Sequence, residues 1–185
     1  MKNNQSEALK NINNLLEFNH GKNLTCLRFL DYKKERFELE FNLEKGTSFN
    51  TFVINEENEL IIIHPPEINH FKSLQKIINI YSEKYKSVRI KIITGHINPK
   101  IIETIKNIKG SFQYIKIISS APGQKLISEL WNQKKPGEVE SLEIKLPEIE
   151  IVKKELILKL KENILHLIPA PTARWPGGLI IYEEN

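Results

Sequence analysis

Between Leu24 and His64 the apolar residues fall in short runs, LTCLRFL, RFELEFNL, NTFVI and ELIIIH, separated by DYKKE, EKGTS and NEEN. Runs of this length, rich in β-branched and aromatic residues and bounded by polar turn residues, predict consecutive antiparallel strands. In RFELEF, Phe37, Leu39 and Phe41 alternate with Arg36, Glu38 and Glu40, the period of a strand with one face on a core. After HPP the period becomes helical, and Ile68, Phe71, Leu74, Ile77, Ile78 and Tyr81 line one face up to about Tyr85. Two strand-then-helix units follow. VRIKIIT leads through GHINP to a helix carrying Ile101, Ile105 and Ile108, and FQYIKIIS leads through SAPG to one carrying Leu126, Ile127, Leu130 and Trp131. Residues 132–147 are charged and broken by Pro136, Gly137 and Pro147, which predicts a long surface connection. The tail returns to the strand-like runs EIEIV, ELILKL, ILHLI and GLIIY.

Before Leu24 the pattern is weaker. SEALKNINNLLEF spaces Leu9, Ile12, Leu15 and Leu16 as on a helix, but its flanks are rich in Asn and Lys. Residues 1–23 are expected to form a polar leader, with a short docking helix at most, and residues 24–185 a single domain without internal repeats. The order of strands, then alternating strands and helices, then strands again predicts an α/β fold with α+β-like character: a sandwich of mixed sheets with helices on an outer face.

Composition narrows this picture. With 185 residues, 40% hydrophobic and 27% charged, the chain can bury one core. Its 27 Lys and Arg stand against 23 Asp and Glu, a net charge of +4, and the two signs are interleaved along the chain. Such mixing marks a solvated surface and argues against nucleic-acid binding. Cys26 is the only cysteine, so no intramolecular disulfide can form. The start, MKNNQSEALKN, lacks the apolar core of a secretory signal, and no apolar run approaches the roughly 18 residues of a membrane span. A cytoplasmic protein is expected.

The candidate chemistry centres on GHINPK. Asn98 is a preferred N-cap residue and Pro99 fits the first helical position, so capping alone explains the pair. His96, at the C-terminal end of a strand, is well placed for a ligand. A metal, however, needs three or four converging donors, and His96 has no donor nearby in sequence, so a structural or exposed histidine is expected. His20, His64, His70 and His166 read as surface residues, and none lies between His96 and His166. There is no Gly-rich nucleotide loop, no G-x-S-x-G elbow and no G-K-S/T phosphate loop. Ser119-Ser120 is explained by capping the next helix. A Cys26–His96 dyad is open but unsupported. PAPTARWPGG is the most unusual segment: either a rigid turn in which Trp175 packs on the core and Arg174 meets a carboxylate, or a pocket wall.

Taken in order, ERFELEFNLEKGTSFNTFVI, IIITGHINPK-style strand-to-loop motifs and LIPAPTARWPGGLIIYEE resemble the start of the metallo-β-lactamase-like module of cyanobacterial diflavin flavodiiron proteins. The resemblance covers roughly residues 24–185 and implies an incomplete metallo-β-lactamase-like αββα sandwich. Members of that family combine this module with flavodoxin-like and flavin reductase-like domains. They pass electrons from a reduced nicotinamide or photosynthetic donor through flavin (FMN) to a di-iron centre, reducing oxygen to water. Where active members read His-x-Glu-x-Asp-His, this chain reads His96-Ile97-Asn98-Pro99-Lys100-Ile101; where they have His before Trp-Pro, it has Arg174 before Trp175-Pro176. The resemblance therefore implies a degenerate site at His96, Asn98, Lys100, Ile101 and Arg174, with Lys100 and Arg174 standing where the irons would be. No metal, flavin or NAD(P)H is expected on this chain itself. A homo- or hetero-dimer with a flavodiiron-type subunit is the implied partnership. The alternative is a non-enzymatic interaction partner; a hydrolase on the same fold is disfavoured by the same ligand losses.

Overall fold

The computed structural model describes residues 14–20, 23–33, 36–37, 41–42, 46–56, 58–83, 89–133, 144–170 and 177–184. The strands are β1 (Leu15–His20), β2 (Leu24–Asp31), β3 (Arg36–Phe37), β4 (Phe41–Asn42), β5 (Thr47–Asn55), β6 (Glu59–Ile63), β7 (Arg89–Ile93), β8 (Ile115–Ser120), β9 (Glu148–Val152), β10 (Leu156–Lys159), β11 (Ile164–Pro169) and β12 (Leu179–Glu184). The helices are α1 (Phe71–Ser82), entered through a 3-10 turn at Ile68–His70, α2 (Pro99–Ser111) and α3 (Ala121–Asn132).

Seven strands form one sheet in the order β1-β2-β5-β6-β7-β8-β9. Its first half is antiparallel, whereas β6, β7, β8 and β9 run parallel. Parallel neighbours need crossovers, and α1, α2 and α3 supply them, each as an amphipathic helix with its apolar stripe on the sheet. Leu74, Ile77, Ile78 and Tyr81 of α1, with Ile101, Ile105 and Ile108 of α2, pack over Leu27, Phe29, Ile62, Ile92 and Ile117. Each fully buried isoleucine removes roughly 1.5–3 kcal/mol worth of apolar surface from water, so this Ile-rich layer is the main stabilising element.

The opposite face divides in two. At the C-terminal ends of the parallel strands, Ile61, Ile63, Ile93, Ile118 and Val152 are covered by Leu165, Leu167 and Leu179 of a three-stranded sheet, β10-β11-β12. At their N-terminal ends the same face carries charge: Lys91 pairs with Glu59 at 2.8 Å, and Lys116 with Glu148 at 3.0 Å and Glu150 at 3.1 Å. Helices, large sheet and small sheet are thus three of the layers of a metallo-β-lactamase-like sandwich, the class of fold read from the sequence.

Two local expectations are corrected. Leu15 and Leu16 lie on a strand, not a helix: β1 pairs antiparallel with β2 from Leu15↔Phe29 to His20↔Leu24, and Leu15 packs on the main core. Sheet pairing overrides a helical spacing that rested on four residues; Leu9 and Ile12 lie outside the described residues. RFELEF is not one strand, because β3 and β4 pair with each other, Phe37 opposite Phe41, so the chain reverses within the alternating run.

Candidate functional site

Two loops leave the C-terminal ends of β6 and β7 side by side, the crevice where open α/β sheets bring side chains together. Pairing continues one step past β6, where the His64 N–H donates to the Ile93 carbonyl at 2.9 Å. His64 then turns into the left-handed region with φ 52°, and its carbonyl accepts the Thr51 hydroxyl at 2.8 Å. A non-glycine residue in this conformation costs on the order of 1–3 kcal/mol and persists only where its surroundings enforce it. The turn aims the imidazole inward. Its Nδ1 is buried and has no hydrogen-bond partner, and burial, with a smaller contribution from the charge of His96, pushes its pKa from 6.5 down to about 4. His64 is therefore a neutral, largely buried side chain beside His96, not the surface residue expected.

Three residues on, Glu67 is 5% exposed. Its carboxylate meets the Lys100 ammonium, with Nζ and Oε2 3.5 Å apart; the lysine side chain itself is about half exposed. Lys100 sits in the first turn of α2, which Asn98 opens as expected: its side-chain oxygen accepts the Ile101 N–H at 2.9 Å. His96 and Asn98 are half-buried in the loop before that helix, and Ile101 turns away from it into the main core.

The end of the PAPTARWPGG segment reaches the same place. A Cβ on Gly177 would stand 2.9 Å from Ile97 Cδ1 and 3.2 Å from Gly123 Cα, and one on Gly95 only 2.5 Å from the Leu179 backbone nitrogen. The Gly95 contact with backbone is too close for any side chain, while at Gly177 a Cβ would crowd a movable side-chain end and the Gly123 backbone, so these glycines let the loop after β7, the start of α3 and the start of β12 touch. Ser120 ties them together: its hydroxyl donates to the Gly177 carbonyl at 3.0 Å and accepts the Gly123 N–H at 3.2 Å as the cap of α3. Ser119 donates to the Thr94 carbonyl at 2.8 Å. Arg174 and Trp175 lie outside the described residues, so of the five positions that the resemblance implies are degenerate four are placed: His96, Asn98 and Lys100 at the site, Ile101 in the core.

Among the described residues no three His, Cys, Asp or Glu side chains are grouped to hold a metal. The Asn98 oxygen is engaged in capping, and a protonated lysine offers no lone pair. The Cys26–His96 dyad does not form either. Three strand spacings separate β2 from β7 in the sheet order, about 14 Å at roughly 4.8 Å each. Cys26 is buried, and burial raises its thiol pKa against a smaller lowering by Arg28.

The sequence reading took His64 and His70 for surface residues and did not single out Glu67. His70 lies 5.5 Å from the rings of both Phe29 and Phe49, with Nε2 3.7 Å from the Asp31 carboxylate. The available signal was position: His64 and Glu67 follow the end of an almost uninterrupted apolar run, ELIII. His166 is on the small sheet, held by Glu155 at 2.6 Å and Glu184 at 3.1 Å.

No family model matches the chain. Among curated proteins, diflavin flavoprotein A 5 of Nostoc sp. strain PCC 7120 is 29% identical over 165 residues, covering 87% of this chain and 26% of its own length. A solved fragment of that protein, residues 1–254, superposes with a TM-score of 0.69 at 26% identity over 92% of this chain and 62% of the fragment. A flavodiiron core from Synechocystis sp. superposes with a TM-score of 0.71 at 21% identity, over 92% of this chain and 40% of that one. The chain thus spans about a quarter of the length of the curated relatives it matches. No helix among the described residues is long and apolar enough to cross a membrane.

Proposed function

We propose that this chain, a homologue of the diflavin flavoproteins with the fold of a flavodiiron core, serves a flavodiiron-type oxidoreductase as a scaffold whose metal site has been given up. The observation that carries the reading is the Lys100–Glu67 pair at 3.5 Å, an ammonium at the position where the resemblance sets an iron-binding carboxylate. A cation there repels a dication at close range and ligates nothing while protonated. Lys100, and Arg174 with it, take over the electrostatic role of the irons and hold nearby carboxylate or carbonyl groups. In the family, electrons from a reduced nicotinamide or photosynthetic donor reach oxygen through flavin and iron. In this reading the reduction of oxygen to water takes place on a partner subunit, and this chain is one half of a homo- or hetero-dimer in the cytoplasm.

A second reading, a non-enzymatic interaction partner, is favoured by the outer face of the small sheet, where Ile157, Ile180 and Tyr182 are about half exposed. Metal analysis of the purified chain, run beside an NAD(P)H-dependent oxygen-consumption assay, tests the main reading. The expected results are substoichiometric iron and no oxygen consumption by the chain alone. One or more equivalents of iron per chain would overturn it.

A further inference from the structure

A neutral imidazole donates one hydrogen bond and an imidazolium donates two, so a histidine with a carboxylate oxygen at each ring nitrogen is fully bonded only when charged. His166 is such a residue. It lies on β11, the central strand of the small sheet, and alternation with the buried Leu165 and Leu167 puts it on the outer face. Its Nδ1 is 2.6 Å from Glu155 Oε1, just before β10, and its Nε2 is 3.1 Å from Glu184 Oε2 on β12. The charged ring therefore ties all three strands together. Once the proton leaves, one nitrogen turns a lone pair toward a carboxylate oxygen, and that side of the clamp becomes repulsive.

The other groups around the ring are Ile157 of β10 and Tyr182 of β12, directly opposite it, with the Tyr182 ring centroid 5.8 Å away. Lys159 lies farther along β10, opposite Ile164, which in turn opposes Glu184; Lys153 and Lys154 precede Glu155. These lysines work against a second positive charge, so the two carboxylate bonds are what favour the imidazolium, and they raise its pKa above 6.5. The inner side of the same strands closes the crevice. Leu165, Leu167 and Leu179 cover Ile63, Ile93 and Ile118, and the Leu179 backbone abuts Gly95, at the start of the loop that carries His96 and Asn98.

We propose that His166, Glu155 and Glu184 form a pH-sensitive latch: the cationic ring holds the small sheet down over the crevice of His64, Glu67 and Lys100, and its deprotonation lets that sheet loosen and admit solvent. The latch is closed below the folded pKa of His166 and released as the pH rises through it. It acts whatever the crevice holds, so it stands apart from the metal-free reading above.

The test is amide hydrogen exchange of the full chain by mass spectrometry at about pH 6 and about pH 8.5, each rate divided by the intrinsic exchange rate at that pH. His64, which titrates near 4, stays neutral across this range. The strands β10, β11 and β12 and residues 94–98 are expected to lose protection roughly threefold at the higher pH, while α1 and β7 keep theirs. His166→Gln, uncharged at both values, should be loose at both, and His166→Arg, charged at both, should be protected at both. Glu155→Gln keeps the histidine and should move the midpoint of the change to lower pH, which tests the latch even where a His166 variant folds poorly. A pH response that persists in His166→Gln, or a midpoint that Glu155→Gln leaves in place, would overturn the latch. A small sheet that responds while residues 94–98 do not would overturn its hold on the crevice.

Discussion

His64 joins a strained backbone to a suppressed charge, and its pH dependence can be worked through. In the folded chain its imidazole titrates near 4, whereas in the unfolded chain it titrates near 6.5. Between those values only the unfolded state takes up the proton, so unfolding is favoured as the pH falls. The contribution of neutral His64 is fully present above pH 6.5, declines as the pH falls toward 4, and is exhausted below that. The gap from 6.5 to about 4, at about 1.36 kcal/mol per pH unit, is worth about 3 kcal/mol. His64→Asn supplies the control, since asparagine tolerates the left-handed conformation and does not titrate in this range. Urea unfolding followed by tryptophan fluorescence at intervals from pH 7.5 to 4 should show the wild type losing about 3 kcal/mol more than the variant. Parallel curves for the two proteins would refute the burial of an uncharged His64.

Four further outcomes follow from the structure. Asn98→Ala removes the bond to the Ile101 N–H and should cost about 1 kcal/mol in chemical denaturation, with Asn98→Asp retaining most of it. Gly177→Ala should destabilise by about 1–3 kcal/mol through overpacking on Ile97 and Gly123. Gly95→Ala should cost more, because its new Cβ meets backbone rather than a movable side chain. His166 should titrate above 6.5 by NMR, because hydrogen bonds to Glu155 and Glu184 favour its cationic form. The stabilisation it brings is full below 6.5 and disappears as the pH rises through the folded value; Glu155→Gln should move the titration back down.

The central strands were legible as strands because one buried on both faces writes an almost uninterrupted apolar run, as in ELIII and RIKII, although ELIIIH was grouped with the antiparallel strands and its parallel pairing with β7 was not read. The caps at Asn98 and Ser120 were legible because a single side chain satisfies a local backbone group. What was not legible depended on distant parts of the chain. Leu15 and Leu16 fit a helix until β2 offers its edge, and RFELEF fits a strand until Phe37 pairs back on Phe41. At the site, the motif reading reached His96, Asn98 and Lys100, yet the partner of Lys100 is Glu67, which belongs to the loop of another strand. No spacing along the sequence links Glu67 to Lys100, and nothing local says that the His64 imidazole turns inward.

The glycine contacts also set an order of assembly. Gly95 and Leu179 touch although most of the second half of the chain lies between them, so closing that contact pays the entropy of a long loop. The large sheet and its helices, joined by helical crossovers between neighbouring strands, can form beforehand; the β10-β11-β12 sheet docks afterwards and completes the crevice around His64, Glu67 and Lys100. On a ribosome the crevice therefore stays open until β12 emerges. In the native protein the same seam is the first that local unfolding would part, exposing the crevice while the Ile-rich core remains protected from hydrogen exchange.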